Sequence, residues 1–321
     1  MTPLPATILT GFLGSGKTTL LNYILTQKHG HRIAVIENEF GEINIDSELV
    51  LSKDEEIFEL TNGCVCCVAT ARADLLRILE KLLARRDSLD HILVETSGLA
   101  DPTPVAQTFF ANDKVSKEVS LDAIVTLVDA KHAAKHLAED WHGADSQAVD
   151  QIVIADRIIV NKTDLVGPEE LKDVEGKVRK LNQTAPILHS SHAQVDLDEI
   201  LGIGAFREQK RMALGDDFLH EHSHDPTLES QSFVFERPFA RARFDAFLKK
   251  LLDERGDDLF RLKGILAFDA DPQRYVLQAV HRIVDLRAAD AWGEDKPLSK
   301  LVFIGRNLDR GALEAGLRSC C

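Results

Sequence analysis

Five short segments without polar interruption punctuate the first two-thirds of the chain: Thr7-Ile8-Leu9-Thr10, Ile33-Ala34-Val35-Ile36, Ile92-Leu93-Val94, Ala123-Ile124-Val125-Thr126-Leu127-Val128 and Ile158-Ile159-Val160. Continuously apolar strands are what a parallel sheet covered on both faces requires. Between them the apolar positions recur with helical spacing, most clearly from Leu20 to Leu25 and from Leu75 to Leu83. Strand–helix–strand repetition predicts a doubly wound α/β domain with a mostly parallel sheet. Ligands of such a domain gather at the C-terminal ends of the strands.

The pattern weakens after Leu201. Residues 203–230 combine Gly, charged positions, a short His tract and Asp225-Pro226, which reads as a linker. A second unit is expected over 231–321. It opens on Ser232-Phe233-Val234-Phe235-Glu236 and continues with an amphipathic helix, in which Phe244, Phe247, Leu248, Leu251 and Leu252 share a face. Strand-like runs follow at Leu262–Phe268, Tyr275–Val280 and Leu301–Ile304, then a short helix over Leu308–Leu317. This order predicts a small C-terminal α+β domain with helices on one face of an open sheet. The first domain is placed at 1–202.

The chain has 321 residues, 44% apolar and 28% charged, enough for two cored domains. Fifty-two acidic residues against 38 Lys and Arg give a net charge of −14, which excludes a general nucleic-acid binder. No apolar run approaches the ~18 residues of a membrane span. Met1-Thr2-Pro3-Leu4-Pro5 lacks a charged n-region, so no signal peptide is expected. The five cysteines, three packed into four positions and two at 320 and 321, do not form a disulfide framework. A cytoplasmic setting is expected.

Gly11-Phe12-Leu13-Gly14-Ser15-Gly16-Lys17-Thr18 matches G-x-x-x-x-G-K-[ST], after a strand and before a helix. Its glycines (Gly11, Gly14, Gly16) let backbone N–H groups, Ser15 included, curl around phosphates, and the helix N-terminus at Thr18 and Thr19 adds a favourable dipole. Lys17 would reach the β- and γ-phosphates and the Thr18 hydroxyl would ligate Mg²⁺. Asn161-Lys162-Thr163-Asp164 ends another strand and resembles the guanine-recognition motif of GTPases. An Asp164 carboxylate can accept from guanine N1–H and the 2-amino group together; adenine offers no such donor pair and would leave a buried Asp164 unpaired. Read alone, that tetrapeptide is also an ordinary polar loop opening a helix.

Glu95-Thr96-Ser97-Gly98 supplies a second acidic position, Glu95, where GTPases commonly carry Asp in D-x-x-G. Glu95 would hold Mg²⁺ through water and the Gly98 N–H would sense the γ-phosphate. No residue stands out as an arginine finger or a water-positioning Gln, so slow intrinsic turnover is expected.

Thr61-Asn62-Gly63-Cys64-Val65-Cys66-Cys67 places three thiols where they can converge on one soft cation. Three local thiolates leave a fourth position open, as a site that exchanges its metal needs. Cys64 and Cys67 also form C-x-x-C, the spacing of a redox pair, although a redox pair has no use for Cys66.

Taken in order, TGFLGSGKTT (10–19), Glu37-Asn38-Glu39-Phe40-Gly41-Glu42, TNGCVCC (61–67), ETSG (95–98) and NKTD (161–164) resemble the CobW/YjiA family of P-loop GTPases. Arg261-Leu262-Lys263-Gly264-Ile265-Leu266, Trp292-Gly293 and Val302-Phe303-Ile304-Gly305 resemble its C-terminal domain. The resemblance implies a GTP-dependent metallochaperone that binds zinc (with Co²⁺ or Ni²⁺ as alternatives) and passes it to a client metalloprotein. It makes Cys64, Cys66 and Cys67 the metal thiolates and 37–42 the switch segment, with Glu37, Glu39 and Glu42 as candidate oxygen ligands. A homodimer that completes the site is a candidate arrangement. A nucleotide-regulated metal sensor or buffer and a maturation factor for a cobalt or iron enzyme remain alternatives.

Weaker signals complete the reading. His220, His222 and His224 stand two apart and could share a metal, or form a flexible polar linker. His132 and His136 are spaced i, i+4 on an expected helix, where they could share a metal but are expected to lie on a face open to solvent. Cys320-Cys321 is expected to fray, and Trp292 to be core.

Overall fold

The computed structural model describes residues 3–27, 30–37, 57–59, 69–111, 113–137, 145–205 and 229–321. By its contacts the chain divides into two compact units, Met1–Phe206 and Arg207–Cys321.

In the first unit, β1 (Leu4–Gly11), β2 (Ile33–Glu37), β3 (Ile57–Glu59), β4 (His91–Glu95), β5 (Val119–Asp129), β6 (Arg157–Asn161) and β7 (Ile187–His189) form one sheet in the order β3-β2-β4-β1-β5-β6-β7. All its pairings are parallel. Each apolar run picked out above lies inside a strand. The two edge strands, β3 and β7, escape that reading because they are only three residues long.

Among the described residues, seven helices accompany this sheet: α1 (Lys17–Thr26), α2 (Ala69–Leu83), α3 (Thr103–Ala111), α4 (Asp113–Glu118), α5 (Ala133–His136), α6 (Asp145–Val153) and α7 (Pro168–Leu181). Leu20, Leu21 and Ile24 of α1 pack fully buried against Leu9, Val35, Leu93, Val125 and Ile159. Each such side chain removed from water contributes roughly 1.5–3 kcal/mol. That packing presses α1 onto the sheet and fixes where its N-terminus points. Because β1 lies between β4 and β5, the segment joining β1 to α1 emerges at the middle of the sheet's C-terminal edge.

A buried polar chain spans the opposite edge. Thr7 Oγ1 donates to Asp122 Oδ2 at 3.2 Å, which spends its only proton. His91 Nε2 must therefore be the donor across its 2.8 Å contact with Thr7 Oγ1. The Asp122 carboxylate also accepts from the backbone N–H groups of Ile203 (3.1 Å) and Gly204 (2.7 Å), which fastens 203–204 to the sheet. The first unit thus extends beyond Gly202.

The second unit is a five-stranded antiparallel sheet in the order β11-β10-β9-β12-β8. Its strands are β8 (Glu229–Phe235), β9 (Leu259–Ala267), β10 (Gln273–Val280), β11 (Ile283–Ala291) and β12 (Ser299–Gly305). Helices α8 (Arg241–Arg255) and α9 (Arg310–Arg318) cover one face, with Phe244, Leu248, Leu313 and Leu317 buried against Phe233, Leu262, Leu277 and Phe303. β11 has no counterpart in the hydrophobic pattern. It is an edge strand in which Asp285, Arg287 and Asp290 interrupt the apolar positions, as edge strands commonly do. Trp292 is buried with Ile265 and Ala267, as expected.

The C-terminus departs from expectation. Cys320 is fully buried in the α8–α9 core, its carbonyl accepts from Ala240 N–H at 2.7 Å, and its thiol donates to the Gly316 carbonyl at 3.2 Å. The tail is held because the N–H just before α8 needs an acceptor and Cys320 supplies it.

Candidate functional site

The segment between β1 and α1 curls because three glycines adopt φ values closed to other residues: Gly11 at 142°, Gly14 at 74° and Gly16 at 107°. Space is equally restrictive. A Cβ on Gly16 would sit 2.4 Å from Asn161 Nδ2, and one on Gly11 2.4 Å from the Leu127 carbonyl. The curl draws Lys17 inward, where its Nζ donates to the Gly11 carbonyl at 2.8 Å. Helix α1 begins without a side-chain cap and without an acidic residue in its first turn, so its leading N–H groups are available to an anion. Thr18 is half-buried and Thr19 exposed in that turn, while Ser15 is buried with its Oγ making no hydrogen bond among the described residues.

Strands β2 and β4 bring two acidic residues to the same edge. Ile36 pairs with Val94, so Glu37 and Glu95 follow as neighbours at the strand ends, and Glu95 pairs with Leu9 on its other side. Both are buried, 4% and 7% exposed. Carboxylates so far from water need cationic company. Together with the Thr18 hydroxyl, Glu95 offers the hard oxygen donors that Mg²⁺ prefers, so the residues present fit that ion.

Beyond Glu95 the chain is stitched to the phosphate loop. Thr96 N–H donates to the Leu9 carbonyl at 2.9 Å and Thr96 Oγ1 to Thr10 Oγ1 at 2.8 Å. Gly98 then packs under Leu13 so closely that a Cβ would lie 2.8 Å from the Leu13 backbone nitrogen.

Asn161 closes the other side. Its Nδ2 donates to the Ser15 carbonyl at 2.9 Å, and its Oδ1 accepts from Ser190 Oγ at 3.0 Å and Ala193 N–H at 2.9 Å. Lys162 takes a left-handed conformation (φ 62°) and its Nζ donates to Asp129 Oδ2 at 2.7 Å. Burial alone would raise the Asp129 carboxyl, but hydrogen bonds from Lys162 and His132 outweigh it and hold the group below its usual range. Asp164 is exposed rather than buried. The buried Asp164 expected from the sequence is not what the structure has, so the argument from an unpaired buried carboxylate would need a bound base to cover it.

Two contributors carry no motif: Asp129, and the loop 190–193 with positive φ at His192 and Ala193. A polar residue ending the apolar run of β5 was the available signal for Asp129; for the loop there was none. His132 and His136 do not act as a pair. Helix α5 is a single turn, His132 Nδ1 engages Asp129 Oδ2 at 2.9 Å, and the His136 ring lies 4.4 Å from that of Phe12.

Cys64, Cys66, Cys67, Glu39, Glu42, His220, His222 and His224 lie outside the described residues. Among the described residues no three His, Cys, Asp or Glu side chains are grouped as a metal site. The thiolate motif starts five residues after Glu59, the register partner of Glu37, and ends two residues before α2.

Comparison with known proteins agrees with this layout. Residues 5–189 match the model of the CobW/HypB/UreG nucleotide-binding domain, and residues 228–321 that of the cobalamin synthesis protein cobW C-terminal domain. The chain is 35% identical over 325 residues to the zinc chaperone YjiA of Escherichia coli (strain K12), covering 99% of this chain and 100% of that protein. It is 34% identical over 351 residues to the zinc-regulated GTPase metalloprotein activator 1 of Schizosaccharomyces pombe, covering 96% and 84%. The crystal structure of Zn(II)-bound YjiA GTPase from E. coli superposes with a TM-score of 0.78 at 30% identity, covering both chains fully.

Proposed function

Because this chain belongs to the CobW/HypB/UreG family of GTPases, we propose that it is a zinc metallochaperone that binds zinc at Cys64, Cys66 and Cys67 and delivers it to a client metalloprotein in a step driven by GTP hydrolysis. The observation that carries this reading is the placement of Glu37. It stands buried beside Glu95 at the phosphate-loop edge, and its register partner Glu59 lies five positions before Cys64 in the sequence.

Lys17 and the N–H groups from Gly14 to Thr19 hold the β- and γ-phosphates, and Asp164 with Asn161 and Lys162 selects guanine. Thr18 and Glu95 would hold Mg²⁺, which when bound would supply charge stabilisation for the transferred phosphoryl group. Gly98 N–H reports the γ-phosphate. Zinc is the cargo: three thiolates with an oxygen ligand from Glu37 or Glu42 bind it and leave it exchangeable, and Glu39 and the His tract are further donors. Loss of the γ-phosphate relaxes the segment that starts at Glu37, and the metal geometry changes with it.

Such coupling is reciprocal, so zinc affinity must depend on the nucleotide. Chelator competition with Zn²⁺ in the presence of a GTP analogue and of GDP, each with Mg²⁺, is expected to differ by tenfold or more, about 1.4 kcal/mol. In Cys66→Ala the metal dependence of hydrolysis should vanish. Tight binding indifferent to the nucleotide would point instead to a buffer, and activation of an apo-client by GTP but not GDP separates a chaperone from a sensor.

A further inference from the structure

The loop after Glu95 is held from a direction that no motif announces. Gln151, fully buried on α6, donates from Nε2 to the Gly98 carbonyl at 3.2 Å and to the Ala100 carbonyl at 2.9 Å. One amide thus grips both ends of the Gly98-Leu99-Ala100 turn.

The helix bearing this amide is itself fixed. Thr126 Oγ1 donates to the Gln151 carbonyl at 2.7 Å, and Asn182 Nδ2 donates to the carbonyls of Ile152 (2.8 Å) and Ala155 (2.9 Å). The C-terminal carbonyls of α6, normally left without intrahelical partners, are tied to β5 and to the end of α7. Gln151 therefore projects from a rigid post.

Its orientation follows from chemistry. Two carbonyls demand the donor end of the amide, so Oε1 points the other way and accepts no hydrogen bond among the described residues. Gln151 lines a cavity of about 230 Å³ beside the phosphate loop, walled largely by apolar groups such as Phe12, Leu127, Ala133 and Leu137. An unused buried acceptor costs free energy. The residue's arrangement is explained by what its donors hold.

We propose that Gln151 is a positioning residue for GTP hydrolysis: it holds the Gly98–Ala100 turn against the phosphate loop so that the Gly98 N–H meets the γ-phosphate. This rests on the reading of Gly98 as the γ-phosphate sensor. The side-chain hydrogen bonds of Gln151 go to the Gly98 and Ala100 carbonyls, so its loss is expected to act on the reacting state and to leave nucleotide affinity nearly unchanged.

Gln151→Met and Gln151→Glu keep the length of the side chain and remove both donors, the first without adding charge. In each, kcat for GTP hydrolysis is expected to fall at least tenfold while KM for GTP and Kd for GDP change less than threefold. Hydrogen exchange over 97–101 should differ between GTP analogue and GDP in the unaltered protein, and should become fast in both states in the variants. Unchanged kcat in a folded variant overturns the proposal, and so does a parallel loss of kcat and GDP affinity, which would mark a general structural role. If 97–101 in the unaltered protein exchanges alike with both nucleotides, the Gly98 reading fails instead.

Discussion

Asn161 Nδ2 reaches the Ser15 carbonyl at 2.9 Å, so the guanine motif and the phosphate loop are one hydrogen-bonded piece. The same side chain accepts from Ser190 and Ala193, and each of the three bonds is buried. Asn161 is thus the keystone of the pocket floor. Asn161→Ala would leave the Ala193 N–H and the Ser190 hydroxyl without this acceptor. A cost of about 2–3 kcal/mol is expected, read as a lower urea midpoint. GTP and GDP affinities should fall together, measured with a fluorescent GDP. A variant that weakens only GTP would contradict this role.

Asp164 tests the base assignment. Asp164→Asn replaces one acceptor with a donor, which suits the 2-oxo group of xanthine and faces the 2-amino group of guanine donor to donor. Affinity for GTP is expected to drop at least a hundredfold, about 2.7 kcal/mol, while XTP binds better than it does to the unaltered protein. Competition of the two nucleotides against fluorescent GDP decides it. Equal losses for both would remove Asp164 from the base site.

His91 makes the first unit sensitive to mild acid. Burial is the main cause that brings its imidazole down to about 3, well below the ordinary 6.5. The unfolded chain therefore binds a proton at pH values where the folded one does not, and stability is lost as pH falls from about 6.5 toward 3. Between pH 7 and pH 5 the loss is about 2 kcal/mol. Asp122 acts in the opposite sense: burial raises its carboxyl, so the fold favours its protonated form in acid. Comparison with His91→Gln isolates the histidine. The variant's urea midpoint should decline less between pH 7 and pH 5, and parallel curves would refute the assignment.

Cys320 and Cys321 should react very differently. One is fully buried in the α8–α9 core and the other exposed, and burial pushes the Cys320 thiol upward. N-ethylmaleimide on the zinc-loaded protein is expected to label Cys321 and spare Cys320 until denaturant is added, as mapped by mass spectrometry. Deleting 319–321 removes the acceptor of Ala240 N–H and part of the core, at a cost of about 1–3 kcal/mol to the second unit. Prompt labelling of both thiols would restore the picture of a frayed tail.

Much of this molecule was legible along the chain, for reasons local in character. Continuous apolar runs mark strands buried on two faces, so β1, β2, β4, β5 and β6 stood out. β3 and β7 did not, because edge strands of three residues bury too little to impose a pattern, and β11 did not, because Asp285, Arg287 and Asp290 interrupt its apolar positions. Glycines that a curled loop cannot do without announced the phosphate loop, and Glu95 and the NKTD segment followed from their place at strand ends.

What the chain could not disclose is how groups far apart in sequence are oriented toward one another. Asn161 carries a motif, yet nothing in that motif foretells its hydrogen bond to Ser15, which spans 146 residues and ties it to the phosphate loop. Gln151 carries none, and only the packing of α6 points its amide at Gly98 and Ala100. Cys320 looked like a loose end until the N–H of Ala240 was found to need its carbonyl. Local order in sequence decides which residue types can do the chemistry, since propensity and periodicity act over a few residues. Tertiary structure alone decides which of them meet, because a hydrogen bond depends on distance and angle in space and is blind to separation along the chain.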